Sequence, residues 1–244
     1  MDLEEINIEF CFMQRKLIVT GDGSHSIEIP GLKLTYHSIH GAIQESKHVF
    51  IDAGFSKVSD ARAFGETSDT IRVFEMGFGT GLNALLTLIE AEKIDREIFY
   101  EAIEPFPLDM DEARGLNYCE VLNRSDLQKT FGQLHRCPWE REIMITPKFF
   151  FTKRQGNLLN FGVSITTGQF FDLVYFDAFD PNIQPELWTE IIFRKMFSIL
   201  KPGGILITYS SKGAVRRAMQ SAGFNVEKLP GPPGKREIVR AIKN

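Results

Sequence analysis

Cysteine is scarce in this chain. The three present, Cys11, Cys119 and Cys137, have neither a metal-ligand nor a redox spacing. They read as reduced thiols in a cytoplasmic protein rather than as a disulfide framework. No cluster of His, Cys and carboxylates suggests a bound metal, so none is expected. No apolar run approaches the roughly 20 residues a membrane helix needs. The start, Met1-Asp2-Leu3-Glu4-Glu5, is acidic and lacks the basic and apolar regions of a signal peptide. Repeats and low-complexity tracts are absent. An overall basic balance is missing too: 28 Lys and Arg face 32 Asp and Glu, a net charge of −4. That excludes a chain that binds nucleic acid over its whole surface.

What is present is a chain of 244 residues, 43% apolar and 25% charged, with the composition of a globular protein of one domain plus a small annexe. The most informative segment is Glu75-Met76-Gly77-Phe78-Gly79-Thr80-Gly81. It follows the apolar run Ile71–Phe74 and opens an amphipathic stretch, Leu82–Glu92. Strand, glycine turn and helix in that order let a nucleotide-like ligand approach the backbone. The glycines are spaced G-x-G-x-G, with Leu82 where a dinucleotide fingerprint needs its third glycine, and no lysine follows as a P-loop requires. Glu75 would repel a pyrophosphate but suits a cationic aminoacyl group. Glu104 ends the next apolar run at the offset where an acidic side chain meets ribose hydroxyls. The competing reading is an ordinary tight turn with two surface carboxylates.

Asp177-Ala178-Phe179-Asp180-Pro181 ends another apolar run, Phe171–Phe176. Strand C-termini line the ligand crevice of an open parallel sheet, so Asp177 is the candidate catalytic group, a helix N-cap being its bland alternative. Phe179 either stacks on a base or fills the core.

Residues 1–60 read as a small β-rich annexe, with hairpin signals at Leu17–Thr20, Ser26–Ile29 and Leu32–Tyr36, followed by a helix over Gly54–Phe64. Residues 61–244 alternate strand and helix. Asp109–Gly132 is predicted helical, Leu134–Glu142 a loop, Pro147–Lys153 a strand and Leu187–Leu200 a helix ending at Lys201-Pro202-Gly203-Gly204. A strand, Ile205–Tyr209, a helix, Ala214–Ala222, and two final strands, Phe224–Lys228 and Glu237–Ile242, follow. That makes seven strands. From Lys201 onward nine Lys and Arg face two Glu. Lys212, Arg216, Arg217, Lys235 and Arg236 are either a solvated face or a phosphate-binding edge beside the site.

The strand order ending in a hairpin resembles the S-adenosylmethionine-dependent methyltransferase variant of the doubly wound, Rossmann-like α/β fold. More narrowly, the chain from about residue 37 onward resembles the methyltransferase module of the MnmC-type tRNA enzymes, which complete 5-methylaminomethyl-2-thiouridine at the wobble position. The resemblance is carried by Glu75 to Asn83, Glu104-Pro105-Phe106-Pro107-Leu108, Phe176 to Pro181 with Pro185-Glu186-Leu187-Trp188-Thr189, Thr208 to Gly223, Gly234-Lys235-Arg236-Glu237, and Gln44 to Phe50. It implies S-adenosylmethionine held by Glu75, Gly77, Gly79, Gly81, Asn83, Glu104, Asn157 and Asp177. It implies Asp177 as the group that positions the substrate amine and takes its proton. The implied partner is tRNA, gripped at its anticodon stem-loop by Phe179 and the basic set. The family's Gly-Asp near the adenine is replaced by Gln155-Gly156-Asn157. The FAD-dependent module of bifunctional relatives has no counterpart in this sequence, so a stand-alone methyltransferase without FAD is expected. Two rivals remain: an aminopropyltransferase of the polyamine type, whose Asp-x-x-Asp-Pro segment is similar, and a scaffold that binds RNA without catalysis.

Overall fold

The computed structural model describes residues 14–60, 69–157, 159 and 170–244. A three-stranded antiparallel sheet comes first, β1 (Lys16–Val19), β2 (His25–Ile29) and β3 (Leu34–Thr35). Eight further strands form the main sheet: β4 (Thr70–Met76), β5 (Glu97–Glu104), β6 (Ile143–Thr146), β7 (Phe149–Gln155), β8 (Phe171–Phe176), β9 (Leu200–Thr208), β10 (Asn225–Pro230) and β11 (Glu237–Ile242). Their order is β10-β11-β9-β8-β4-β5-β7-β6. β4 pairs in parallel with β5 on one side and with β8 on the other. The chain therefore reverses its direction of winding at β4, which opens a crevice at the C-terminal ends of these three strands.

The strands alternate between two cores. Val73, Tyr100, Phe151, Tyr175 and Ile207 face one cluster, while Phe74, Met76, Val174, Phe176 and Leu206 face the other. The first face is covered by α1 (Ala42–Ser46), a π-helical stretch (Lys47–Phe55), α2 (Ser56–Ser59), α3 (Leu82–Ala91) and α6 (Gln128–Arg136), with the short helices α4 (Met110–Arg114) and α5 (Tyr118–Val121) nearby. The second is covered by α7 (Glu190–Ile199) and α8 (Gly213–Ser221). α3 reads as amphipathic, yet eight of its ten residues are buried, because the π-helical stretch packs over the side the sheet leaves free.

Several expectations are corrected. The main sheet has eight strands rather than seven. β6 was hidden because it is an edge strand without clear alternation, joined to β7 by a tight Pro147-Lys148 turn and irregular between Met144 and Thr146. β9 begins at Leu200, not Ile205. Lys201-Pro202-Gly203-Gly204 bulges out between the pairs Phe171–Leu200 and Leu173–Ile205, and Gly203 and Gly204 bond instead to Lys243 at 2.6 and 3.0 Å. The helical stretch expected from Gly54 begins at Ala42, and residues 42–59 pack on the main sheet; residues 61–64 of that expected helix lie outside the described residues. α6 runs on to Arg136, through the start of the expected loop, and Asp109–Gly132 is broken into short pieces.

Phe50 carries much of the packing between the π-helical stretch and the sheet. Its ring lies 5.1 Å from that of Tyr175, and both are buried. Phe50→Ala is expected to lower unfolding stability by about 3–5 kcal/mol, read as a drop in urea midpoint at unchanged slope.

Candidate active site

The crevice at the switch point is a cavity of ≈ 420 Å³. Its floor is the glycine loop. Gly77, Gly79 and Gly81 all take positive φ, at 91°, 50° and 74°, the left-handed region that favours glycine. At Gly77 a Cβ would lie 2.7 Å from the Asp177 carbonyl oxygen, and at Gly79 3.1 Å from the Tyr36 ring. The loop is thus threaded between the end of β8 and the annexe. Two histidines brace it: His37 Nε2 lies 2.7 Å from Thr80 Oγ1, and His135 Nε2 3.2 Å from the Thr80 carbonyl. Burial pushes both imidazoles down to about 4, so they are neutral at physiological pH and leave the loop uncharged.

At the inner end, Asn83 on the first turn of α3 serves two carboxylates at once. Its Nδ2 donates to Glu75 Oε1 at 3.0 Å and to Asp177 Oδ2 at 2.9 Å. Burial raises the Asp177 carboxyl to about 7, with Glu45 adding to the shift and Asn83 and Lys235 opposing it. Burial also holds Glu75 well above the usual carboxylate range, reinforced by the Asp177 charge. Asn83 Oδ1 is buried without a hydrogen-bond partner. A buried acceptor beside two carboxylates fits the cationic amino group of an aminoacyl ligand. Glu104 Oε2 accepts from the Gly79 N–H and Oε1 from the Phe106 N–H, both at 2.7 Å. These bonds fix its direction and leave further lone pairs for a ribose.

The structure brings Gly77, Gly79, Asn83, Glu104, Asn157, Asp177 and Phe179 to one cavity wall, with Glu75 and Gly81 directly behind it through Asn83 and the loop. Asp177 does not cap a helix; α7 begins after Thr189. Phe179 lines the cavity and packs edge-on to Tyr36 at 5.2 Å. Of the basic set, only Lys235 lines the cavity. Lys212 is exposed and pairs with Asp180 at 2.7 Å. Arg216 is half-buried and donates from Nε to the Ser211 carbonyl at 3.2 Å, while Arg217 and Arg236 are exposed. Sequence reading missed Tyr36, His37, Glu45 and Tyr209 in the lining. Glu45 sat inside a segment of the resemblance, but nothing local marks it, because its ion-pair partner Lys235 lies near the other end of the chain.

Among the described residues no group of His, Cys, Asp and Glu could hold a metal ion, and no helix is long and apolar enough to cross a membrane. The fold is the Rossmann-like α/β fold of S-adenosylmethionine-dependent methyltransferases, and residues 158–244 match the family model described as S-adenosyl-L-methionine-dependent methyltransferase. The narrower resemblance is to MnmC. The chain is 29% identical over 211 residues to the tRNA 5-methylaminomethyl-2-thiouridine biosynthesis bifunctional protein MnmC of Pseudomonas fluorescens, covering 84% of this chain and 31% of that protein. It is 30% identical over 209 residues to the protein of the same name from Chromobacterium violaceum, covering 83% of this chain and 31% of that one. The chain thus spans about a third of the length of the curated relatives it matches. The solved structure of MNMC2 from Aquifex aeolicus superposes with a TM-score of 0.72 at 22% identity, over 99% of this chain and 77% of that one.

The buried Asp177 has a stability consequence. A carboxyl raised in the folded state contributes stability that is fully present below its unfolded pKa of about 3.9 and is lost as pH rises through about 7. Asp177→Asn removes that loss. The melting temperature of the variant relative to the unaltered protein is expected to be higher at pH 8 than at pH 4. An equal difference at both pH values would contradict a raised Asp177.

Proposed function

We propose that this protein is an S-adenosylmethionine-dependent tRNA methyltransferase that methylates the amine of a 5-aminomethyl or 5-aminomethyl-2-thio uridine at the wobble position. One observation carries the reading. The similarity to MnmC covers 84% and 83% of this chain in two relatives, and at the inner end of the cavity stands the Asp177 carboxyl, held by Asn83 and raised by burial to about 7. The polyamine-type rival has less support: the second aspartate of its motif, Asp180, is turned to Lys212 and the Asn182 N–H rather than left free for an amine.

When bound, S-adenosylmethionine supplies a methyl group on a sulfonium. Glu75 and Asn83 would hold its aminoacyl end, Glu104 the ribose and Asn157 the adenine side, while Gly77, Gly79 and Gly81 would allow close backbone approach. An ammonium has no lone pair, so the amine must lose a proton to attack. Asp177 orients it and accepts that proton directly or through one water. Fixing the amine in one orientation beside Asp177 contributes to the rate by removing its freedom before the reaction. Phe179 stacks on the wobble base, which must leave its helix stack to reach Asp177. Lys212, Arg216, Arg217 and Arg236 lie on or beside α8 and the β10–β11 turn and contact phosphates of the anticodon stem-loop.

The direct test is transfer of labelled methyl from S-adenosylmethionine to bulk tRNA lacking only the final methyl. Failure to label it under conditions where the protein binds S-adenosylmethionine would overturn the reading. Gly79→Val is expected to abolish S-adenosylmethionine binding in calorimetry, through strain at positive φ and collision with Tyr36. Asp177→Asn is expected to lower single-turnover rates by about 10²–10⁴-fold and to lack the rise in rate through pH 7 expected of the unaltered protein. Reversal of charge at Arg216 and Arg217 is expected to weaken tRNA binding and flatten its dependence on salt, leaving S-adenosylmethionine affinity intact; equal salt slopes would mark this face as merely solvated.

A further inference from the structure

Lys235 belongs to the basic set by sequence, but its side chain stands between a carboxylate and an aromatic ring. The residue lies in the loop between β10 and β11, where Gly234 at positive φ brings the chain against His40: a Cβ there would lie 2.3 Å from the His40 ring. From there the Lys235 side chain enters the cavity. Its ammonium forms an ion pair with Glu45 Oε1 and sits 3.9 Å from the centre of the Tyr209 ring. Both partners are fixed from behind. Glu45 Oε2 accepts the Ser38 N–H at 2.7 Å, and the Tyr209 hydroxyl donates to the Ala178 carbonyl at 2.8 Å, one residue beyond Asp177.

A carboxylate and an aromatic face converging on one point are the recognition chemistry of an alkylammonium ion. A lysine side chain ends in a primary ammonium on a methylene, the same group as a protonated aminomethyl substituent. The charges of Glu45 and Lys235 both reach the Asp177 carboxylate, so the point they share is within electrostatic range of the group that would take the proton.

We infer that Glu45 and Tyr209 form the seat on which the cationic aminomethyl group of the substrate docks before deprotonation, and that Lys235 occupies this seat in the free protein and is displaced by the substrate. This rests on the amine substrate proposed above. Tyr209 and Glu45 then act as specificity-determining residues, and Lys235 is an internal competitor rather than a phosphate contact. Displacing an occupant subtracts from the affinity of the ligand that replaces it.

The test compares affinity for tRNA carrying the aminomethyl group with affinity for the same tRNA with an unmodified wobble uridine. The ratio isolates the amine, since phosphate contacts cancel. Lys235→Met is expected to raise the ratio about five-fold, and Glu45→Gln to lower it about ten-fold. A second arm needs no RNA. In Lys235→Ala, propylammonium, which replaces the atoms removed, is expected to raise the melting temperature by about 3 °C over sodium at equal ionic strength. The double variant with Glu45→Gln is expected to show no rise. If Lys235→Met weakens both tRNAs equally and leaves the ratio unchanged, Lys235 is a phosphate contact and the inference is wrong. Absence of the propylammonium effect overturns it as well. If the effect is present but the unaltered protein neither distinguishes the two tRNAs nor methylates either, the seat stands as an ammonium site and the proposed tRNA function falls.

Discussion

Two carboxylates, Glu75 and Asp177, are brought together at the ends of neighbouring parallel strands and share a single amide donor, Asn83 Nδ2. Much of the surrounding structure is what makes that arrangement tolerable. Burying a carboxylate without compensation is strongly unfavourable. Here burial shifts Asp177 to about 7 and holds Glu75 well above the usual range, and Asn83 donates a hydrogen bond to each. The strain on folding and the usefulness of the site have the same origin. A carboxyl that resists ionisation is one that titrates where a proton-accepting group is needed.

The glycine loop meets the same constraint from the other side. The Asp177 backbone lies so close to Gly77 that a side chain there would collide with its carbonyl, and the Asp177 N–H donates to Met76 at 3.0 Å. The two strand ends are in effect stitched together, and the carboxylates stay in place because the backbone gives them no room to separate. Neutral histidines on either side of Thr80 complete the support without adding charge to a site that already holds several acids.

The annexe is more than a decoration of the fold. Tyr36 and His37 follow β3, and Glu45 lies in α1, yet all three line the cavity with residues from the end of β4, the segment after β8 and the β10–β11 turn. The first and last parts of the described chain meet at Glu45 and Lys235. A site closed by both ends of the chain senses the whole fold, because no local segment contains it.

The sequence by itself determined a good deal. The glycine spacing, the acids at Glu75 and Glu104, and Asp177 after a strand marked the ligand crevice and its floor, because a backbone that must approach a ligand can use few residues and announces them locally. The parallel strands were legible for the same kind of reason: a strand buried on both faces is a continuous apolar run, as Leu173–Phe176 shows. Tertiary structure alone decided the rest. β6 exists only through its pairing with β7, most of α3 is buried because the π-helical stretch packs against it, and Lys201-Pro202-Gly203-Gly204 is a bulge whose hydrogen bonds Lys243 supplies. Lys235 turns from the basic surface into the cavity because Glu45 and Tyr209 are there to receive it. Charge and hydrogen bonding act through space, and two residues at opposite ends of a chain carry no mark of each other until the fold has brought them together.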